Sequence, residues 1–163
     1  MSWKLLMVAA ALLPLSAHAA EMPKEGTDNF TNAFIVTLSG TIQQGSHSFN
    51  VYEINGVARN DTGAPMFNMF GQRCIGMLDG VGGNYSDRGT CTYTDKDGDH
   101  IFMPYRSQAE QGVYRGTYEV AGGTGKFTGI TGSGELFANN APIKADDKWT
   151  RHVVSNKVTW KVP

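Results

Sequence analysis

Residues 118–135 decide the fold, and they read Tyr-Glu-Val-Ala-Gly-Gly-Thr-Gly-Lys-Phe-Thr-Gly-Ile-Thr-Gly-Ser-Gly-Glu. Gly122, Gly123 and Gly125 are typical of a tight turn that needs positive φ angles. The later glycines are typical of a strand that bends or is closely approached by another backbone. A phosphate-binding loop is excluded, because Gly-Lys is followed by Phe127 and no helix pattern follows. The segment therefore predicts a glycine-rich β-hairpin.

On both sides of this hairpin, the chain alternates short β-rich runs with turns that contain Gly, Asn or Asp. We predict strands at residues 33–43, 49–59, 66–78, 88–94, 100–106, 112–120, 129–138 and 157–162. No stretch after the N-terminus shows a helical period. Eight consecutive strands predict an all-β protein, an eight-stranded antiparallel closed barrel. An open two-sheet sandwich is the alternative.

The hairpin resembles the signature of the dirigent and allene oxide cyclase superfamily, in which a Gly-Gly-Thr-Gly-Lys/Arg-Phe turn follows a strand. The matching residues run from Val120 to Phe127, with Gly129 and Gly134 in the following strand. The resemblance covers about 20 residues, and the superfamily's catalytic aspartates and arginines have no matching motif here. It implies a calycin-like barrel with an apolar cavity that binds or cyclises hydrophobic molecules without a cofactor. Dimers and trimers are common among such proteins, so a homo-oligomer is compatible with it.

The N-terminus predicts export. Lys4 precedes an apolar run of about 11 residues, Leu5 to Leu15, and Ser16-Ala17-His18-Ala19 has the small-x-small pattern of a cleavage site. A spanning helix needs about 20 apolar residues. We therefore predict a signal peptide at 1–19, a flexible arm at 20–30, a single barrel domain at 31–163, and a periplasmic or secreted protein without a membrane span after cleavage.

The charge pattern argues against nucleic-acid partners. Without Lys4 the chain has 13 basic and 15 acidic residues, and they are scattered rather than gathered in a stripe. The basic footprint of a nucleic-acid-binding protein is absent, and so is a polybasic membrane patch.

Two cysteines occur, Cys74 and Cys91. An even number in an exported protein predicts a disulfide. A redox dithiol or metal pair would need CxxC spacing or nearby histidines, which the sequence lacks. The closed loop of 17 residues would contribute about 3 kcal/mol in the chain-entropy model.

Polar residues inside apolar strand patterns are the site candidates, because a buried charge or hydroxyl needs a partner. The candidates for proton transfer are Tyr52, Glu53, Tyr93, Arg106 and Glu119. The candidates for ligand contact are Tyr93, Tyr105 and Tyr118. An outward, solvated position is the ordinary alternative for most of them.

Other motifs predict turns or surface residues rather than sites. Asp95 begins an Asp-Lys-Asp-Gly-Asp run, but an EF-hand would need Glu at the position held by Arg106, so we predict a hairpin turn. His47 and His100 are expected at strand edges, and His152 could reach a barrel mouth. No cofactor or metal site is predicted.

Three functions stay open. The first is binding of a small apolar or aromatic molecule in the lumen, and the second is a cofactor-free cyclase or isomerase acting on such a molecule. The third is an envelope interaction module whose barrel is filled with its own side chains. An ionisable group at the floor of an apolar cavity would favour the enzyme.

Overall fold

A computed structural model describes residues 22–139, 143–146 and 149–163, so the predicted leader at 1–19 lies outside the described residues. The strands are β1 Glu25–Gln44, β2 His47–Asn60, β3 Phe70–Val81, β4 Asn84–Thr94, β5 His100–Glu110, β6 Val113–Val120, β7 Gly122–Gly123, β8 Thr131–Asn139, β9 Ile143–Asp146 and β10 Trp149–Lys161. The helical structure in these residues is one 3-10 turn, Gly125–Phe127. No described helix is long and apolar enough to cross a membrane.

The predicted eight-stranded barrel is confirmed, and the two-sheet alternative is wrong. The antiparallel order is β1-β2-β3-β4-β5-β6-β8-β10, and β10 pairs back onto β1 over Glu25 to Val36. Each of these eight strands therefore has a neighbour on both sides. The two-residue β7 pairs with β5, and β9 pairs with β10 outside the ring.

The predicted flexible arm at 20–30 is wrong for residues 25–30, which begin β1 and pair with residues 156–161 of β10. The indole of Trp160 donates a hydrogen bond of 2.6 Å to Asp28 Oδ2 across this pair. The sequence pattern does not reveal this part of β1, because its residues are mostly polar. It is held in place by backbone pairing with β10.

Two other strand boundaries differ from the prediction. The third strand begins at Phe70 rather than at residue 66, because Phe67 and Met69 have positive φ angles of 55° and 60° that a strand does not permit. The last strand begins at Trp149 rather than at Lys157. The short strand β9 lies in the segment before residue 157 that was predicted to be a loop. Pro142 and Asp147 of that segment are outside the described residues.

Aromatic side chains fill one end of the barrel, which we call the closed end. Phe30 stacks on Phe67 with ring centroids 4.3 Å apart, and Phe70 lies 5.8 Å from Phe127. Phe30, Phe67 and Phe127 are completely buried. The loops before β3 and after β7 supply Phe67 and Phe127, so these two loops seal the end.

The glycine-rich hairpin holds Phe127 in place. Gly125 has φ +51°, and a Cβ atom there would overlap the Asp99 side chain. Lys126 Nζ lies between the Asp95 and Asp97 carboxylates, 2.5 Å from Asp97 Oδ2. Its hydrogen bond lowers the pKa of Asp97 to about 2. The Asp-rich hairpin turn and the Gly-rich turn are thus joined by an ion pair, next to the sealed end.

The predicted disulfide is confirmed. Cys74 on β3 and Cys91 on β4 are register partners, and they are bonded to each other and almost fully buried. Because side chains alternate along a strand, this bond fixes which residues of both strands face the lumen.

Candidate functional site

The barrel's other end is partly open, and we call it the mouth. Five inward-facing side chains there are only half buried, although their neighbours further along the lumen are buried: Phe34, Val36, Leu78, Tyr85 and Tyr114. Water therefore contacts these five side chains at the mouth. A shallow, wide cleft of about 620 Å³ lies elsewhere, on the outside of the sheet by Arg115, Glu135 and Lys157.

A cluster of one carboxyl and three hydroxyl groups lies just inside the mouth, and we call it the Asp87 cluster. The Tyr52 hydroxyl donates a hydrogen bond to Asp87 Oδ1 and also contacts the Tyr105 hydroxyl. Ser107 Oγ donates to Asp87 Oδ2 at 3.2 Å. Tyr52 comes from β2, Asp87 from β4, and Tyr105 and Ser107 from β5, so three strands build the cluster.

Two glycines make room for it. Gly76 and Gly89 are register partners on β3 and β4. A Cβ atom on either one would lie 2.6 Å or less from a tyrosine hydroxyl, that of Tyr52 or Tyr105. Any larger residue at these positions would displace the hydroxyl of Tyr52 or Tyr105 and disturb the cluster.

Asp87 is the titratable group of this cluster that can change protonation near neutral pH. Burial raises the pKa of its carboxyl to about 6, although hydrogen bonds from Tyr52, Ser107 and the Arg88 backbone favour the ionised form. Burial and the nearby Asp87 charge raise the pKa of Tyr52 and Tyr105 further above 10, so both hydroxyls stay neutral. The site therefore combines one ionisable acid with neutral hydrogen-bond donors.

A second polar group lies deeper, next to the disulfide. Tyr93 is completely buried and receives hydrogen bonds from Asn32 Nδ2 at 2.8 Å and from Gln72 Nε2 at 3.3 Å. Tyr118 is hydrogen bonded to Tyr93, and its ring lies 5.9 Å from that of Tyr105. Tyrosines therefore connect the deeper group to the Asp87 cluster.

Three buried amide oxygens have no hydrogen-bond donor among the described residues: Asn32 Oδ1, Gln72 Oε1 and Asn156 Oδ1. The three residues face the lumen and are at most 5 % exposed. A buried acceptor without a donor is costly, and such groups usually receive a bond from water or a ligand.

No described side chain brings a positive charge into the lumen. The lysines and arginines whose side chains are described are exposed, on the outer face, in turns or at the chain ends: Lys24, Arg59, Arg73, Arg88, Lys96, Arg106, Arg115, Lys126, Lys157 and Lys161. Asp87 consequently has no cationic side chain of the described residues as a partner inside the barrel.

The structure brings together four of the predicted site residues, Tyr52, Tyr93, Tyr105 and Tyr118, in the lumen. It places the other three on the outside: Glu53, Arg106 and Glu119. Glu53 forms an ion pair of 2.8 Å with Arg73. Strand alternation turns each of these three away from the lumen, which is the outward alternative for them. Roles for the four tyrosines stay predictions.

The histidines lie apart from the Asp87 cluster where they are described. His47 contacts Asp79 at 2.6 Å on the exposed surface, and His100 is 2.9 Å from the Thr94 hydroxyl. The side chain of His152 is outside the described part.

Sequence analysis missed Asp87, Ser107, Asn32 and Gln72. Asp87 was missed because the fourth strand was predicted to begin at Arg88, whereas it begins at Asn84. A signal was present nevertheless: Asp87 is four residues before Cys91, and an even spacing along a strand places both on the same face.

Comparison with known proteins agrees with this architecture. The structure of a pterocarpan synthase dirigent protein superposes with a TM-score of 0.51 at 13 % sequence identity, covering 95 % of this chain and 100 % of that one. No protein-family model and no curated protein matches the sequence. At this identity the match shows the fold alone, which is the dirigent-type eight-stranded barrel that the glycine-rich hairpin predicted.

Proposed function

We propose that the protein binds a small apolar or aromatic molecule in the barrel lumen, through the mouth. The observation that carries the proposal is the Asp87 cluster: a largely buried carboxyl with three hydroxyls, inside a partly open end lined by Phe34, Leu78 and Tyr114. Ligand sites are typically apolar concavities with a few precisely placed polar groups. The dirigent-type fold is compatible with this role, although a fold alone does not determine function.

We expect small phenols to bind with a dissociation constant in the micromolar range, or about −8 kcal/mol. Isothermal titration calorimetry with substituted phenols measures this. Tyr114→Ala at the mouth should weaken binding about tenfold, or 1.4 kcal/mol, because a ring contact is lost. Phe102→Ala is the matched control, since Phe102 is an aromatic residue on the outer face. Equal weakening by both variants would contradict a site in the lumen.

A cofactor-free isomerase or cyclase is the second candidate, and the pKa of Asp87 favours it. A general acid or base works best when its pKa is near the operating pH, and that of Asp87 is raised to about 6. Such an enzyme would exchange a ligand C–H proton with solvent. Mass spectrometry in D₂O should then show deuterium uptake that Asp87→Asn abolishes. If a ligand binds but takes up no deuterium, the protein is a binding protein rather than an isomerase or cyclase.

The interaction module with a filled barrel is the remaining alternative. The aromatic packing of the closed end is consistent with it, whereas the half-buried mouth is not. If no compound of a chemically diverse apolar library binds, this module is favoured.

Export also belongs to the proposal: the buried disulfide is compatible with an oxidising compartment. N-terminal sequencing of the protein from its own host would locate the cleavage site.

A further inference from the structure

Asp87 is the described charged group just inside the mouth, and no described side chain supplies a cation to pair with it. Asp87 is largely buried, and its described partners are hydroxyls and a backbone N–H. Buried charges in proteins are normally paired, because an ion loses its hydration inside the fold. A cationic ligand would supply the missing partner.

The lumen contains hydrogen-bond acceptors that no described donor reaches. The amide oxygens of Asn32, Gln72 and Asn156 have no described donor. The hydroxyls of Tyr52 and Ser107 are already directed at Asp87. A ligand with N–H or O–H groups matches this arrangement, whereas a ligand that only accepts hydrogen bonds does not.

Tyrosines surround the carboxyl. The Tyr52 hydroxyl contacts both Asp87 and the Tyr105 hydroxyl, and the pKa of Tyr114 is raised by burial and by the charges of Asp87 and Tyr85. Aromatic faces attract organic cations, and more strongly where the cation is desolvated. The same surroundings disfavour an anion, since a second carboxylate near Asp87 would meet no described cation.

On these grounds we propose that the lumen selects small aromatic amines: an apolar ring that carries one protonated amino group, which pairs with Asp87 just inside the mouth. This inference rests on the proposed binding function and narrows its ligand to one charge class. Carboxylates of the same size and shape are rejected. Neutral analogues bind, but more weakly.

Three ligands of matched shape test the proposal: tyramine as the cation, 4-ethylphenol as the neutral analogue and 3-(4-hydroxyphenyl)propanoate as the anion. Calorimetry at pH 7.5 should show tyramine binding at least about tenfold more tightly than 4-ethylphenol, and no binding of the anion. If 4-ethylphenol binds as tightly as tyramine, or the anion binds, the amine proposal is overturned while the binding function stands. If none of the three binds, the binding function fails as well.

A pH series distinguishes pairing with Asp87 from general attraction. Between pH 7.5 and 5 the affinity for tyramine should fall about tenfold as Asp87 becomes protonated, while that for 4-ethylphenol stays constant. The other titratable groups around Asp87 whose side chains the structure describes are Tyr52, Tyr85, Tyr105, Tyr114 and Tyr118. Burial raises the pKa of Tyr52, Tyr105, Tyr114 and Tyr118 above 10, so these four stay neutral in this range. A constant tyramine affinity would overturn the proposal even where Asp87 variants fail to fold.

The variant Asp87→Asn keeps the size of the side chain and removes its charge. It should lose the preference for tyramine over 4-ethylphenol and retain the binding of 4-ethylphenol. Glu119→Gln removes an exposed carboxylate from the outer face, so it should retain the preference. If both variants keep the preference, Asp87 does not select the ligand.

Discussion

The raised pKa of Asp87 should make the protein less stable at neutral than at acidic pH, and Asp87→Asn should remove that loss. The folded-state pKa is about 6, against a reference of 3.8 for the unfolded chain. The folded state therefore binds the proton more tightly. This contribution to the free energy of unfolding is complete below pH 3.8 and is lost as the pH rises to about 6. A difference of about two pKa units corresponds to about 3 kcal/mol.

The substitution isolates this contribution. Asparagine resembles the protonated acid, so the variant should be close to the wild type at pH 3.5 and about 1–3 kcal/mol more stable at pH 7.5. Weaker hydrogen bonds from Tyr52 and Ser107 to an amide oxygen shift the variant's stability at all pH values, so they do not alter the slope. Asp97, whose pKa is lowered, loses its contribution below pH 3.8 and cancels in the comparison.

Urea denaturation of the wild type and Asp87→Asn at pH 3.5, 5, 6 and 7.5 gives the difference in unfolding free energy at each pH. Glu119→Gln is the control, and its difference from the wild type should vary little over the series, because the Glu119 side chain is exposed on the outer face. A difference for Asp87→Asn that stays constant within roughly 0.5 kcal/mol, the usual error of such comparisons, would show that the buried Asp87 charge does not lower the stability at neutral pH.

Three further predictions concern the closed end and the disulfide. Replacing Cys74 and Cys91 by alanine should lower the unfolding free energy by about 3 kcal/mol in urea titrations, and the wild type should take up no alkylating agent without reductant. Gly125→Val should lower the melting temperature, because the φ angle of +51° at this position excludes a β-branched residue. Gly40→Val is the control and should not lower it, since a Cβ atom there meets nothing within 4 Å. Stabilisation of the wild type by phosphate would contradict the structural role of this hairpin. Lys126→Met should destabilise the protein more at pH 7 than at pH 3, because the carboxylates around it repel one another only when ionised; equal loss at both pH values would show that packing, not charge, is responsible.

Much of the fold was predictable because its signals are local. Turn residues between alternating strands predicted eight strands, and the Gly-Gly-Thr-Gly-Lys-Phe turn predicted how they close. The first part of β1 was not predictable, because residues 25–30 are largely polar and are held by backbone pairing with β10. The late start of β3 depends on the positive φ angles of Phe67 and Met69, which no sequence rule requires of these residue types.

The site was predictable only in part, for a related reason. Tyrosines in strands were good candidates, and four of them do lie in the lumen. Nothing local distinguishes Glu53 or Glu119, which face outward, from Asp87, which faces inward. That distinction depends on strand register, because a shift of one residue exchanges the two faces. The disulfide would have supplied the register, since Cys91 and Asp87 are separated by an even number of residues.

The hairpin that identifies the fold and the cluster that we propose binds ligand lie at opposite ends of the barrel. Gly125, Lys126 and Phe127 seal the closed end, whereas Asp87 and Tyr114 lie at the mouth. A chain can therefore keep the hairpin, and with it the barrel, while the side chains near the mouth change. This separation explains why resemblance in the hairpin predicted the architecture and gave no residue of the Asp87 cluster. The identity of the ligand has to come from the charge and hydrogen-bonding groups of the mouth, where the one carboxyl without a described cation favours an amine.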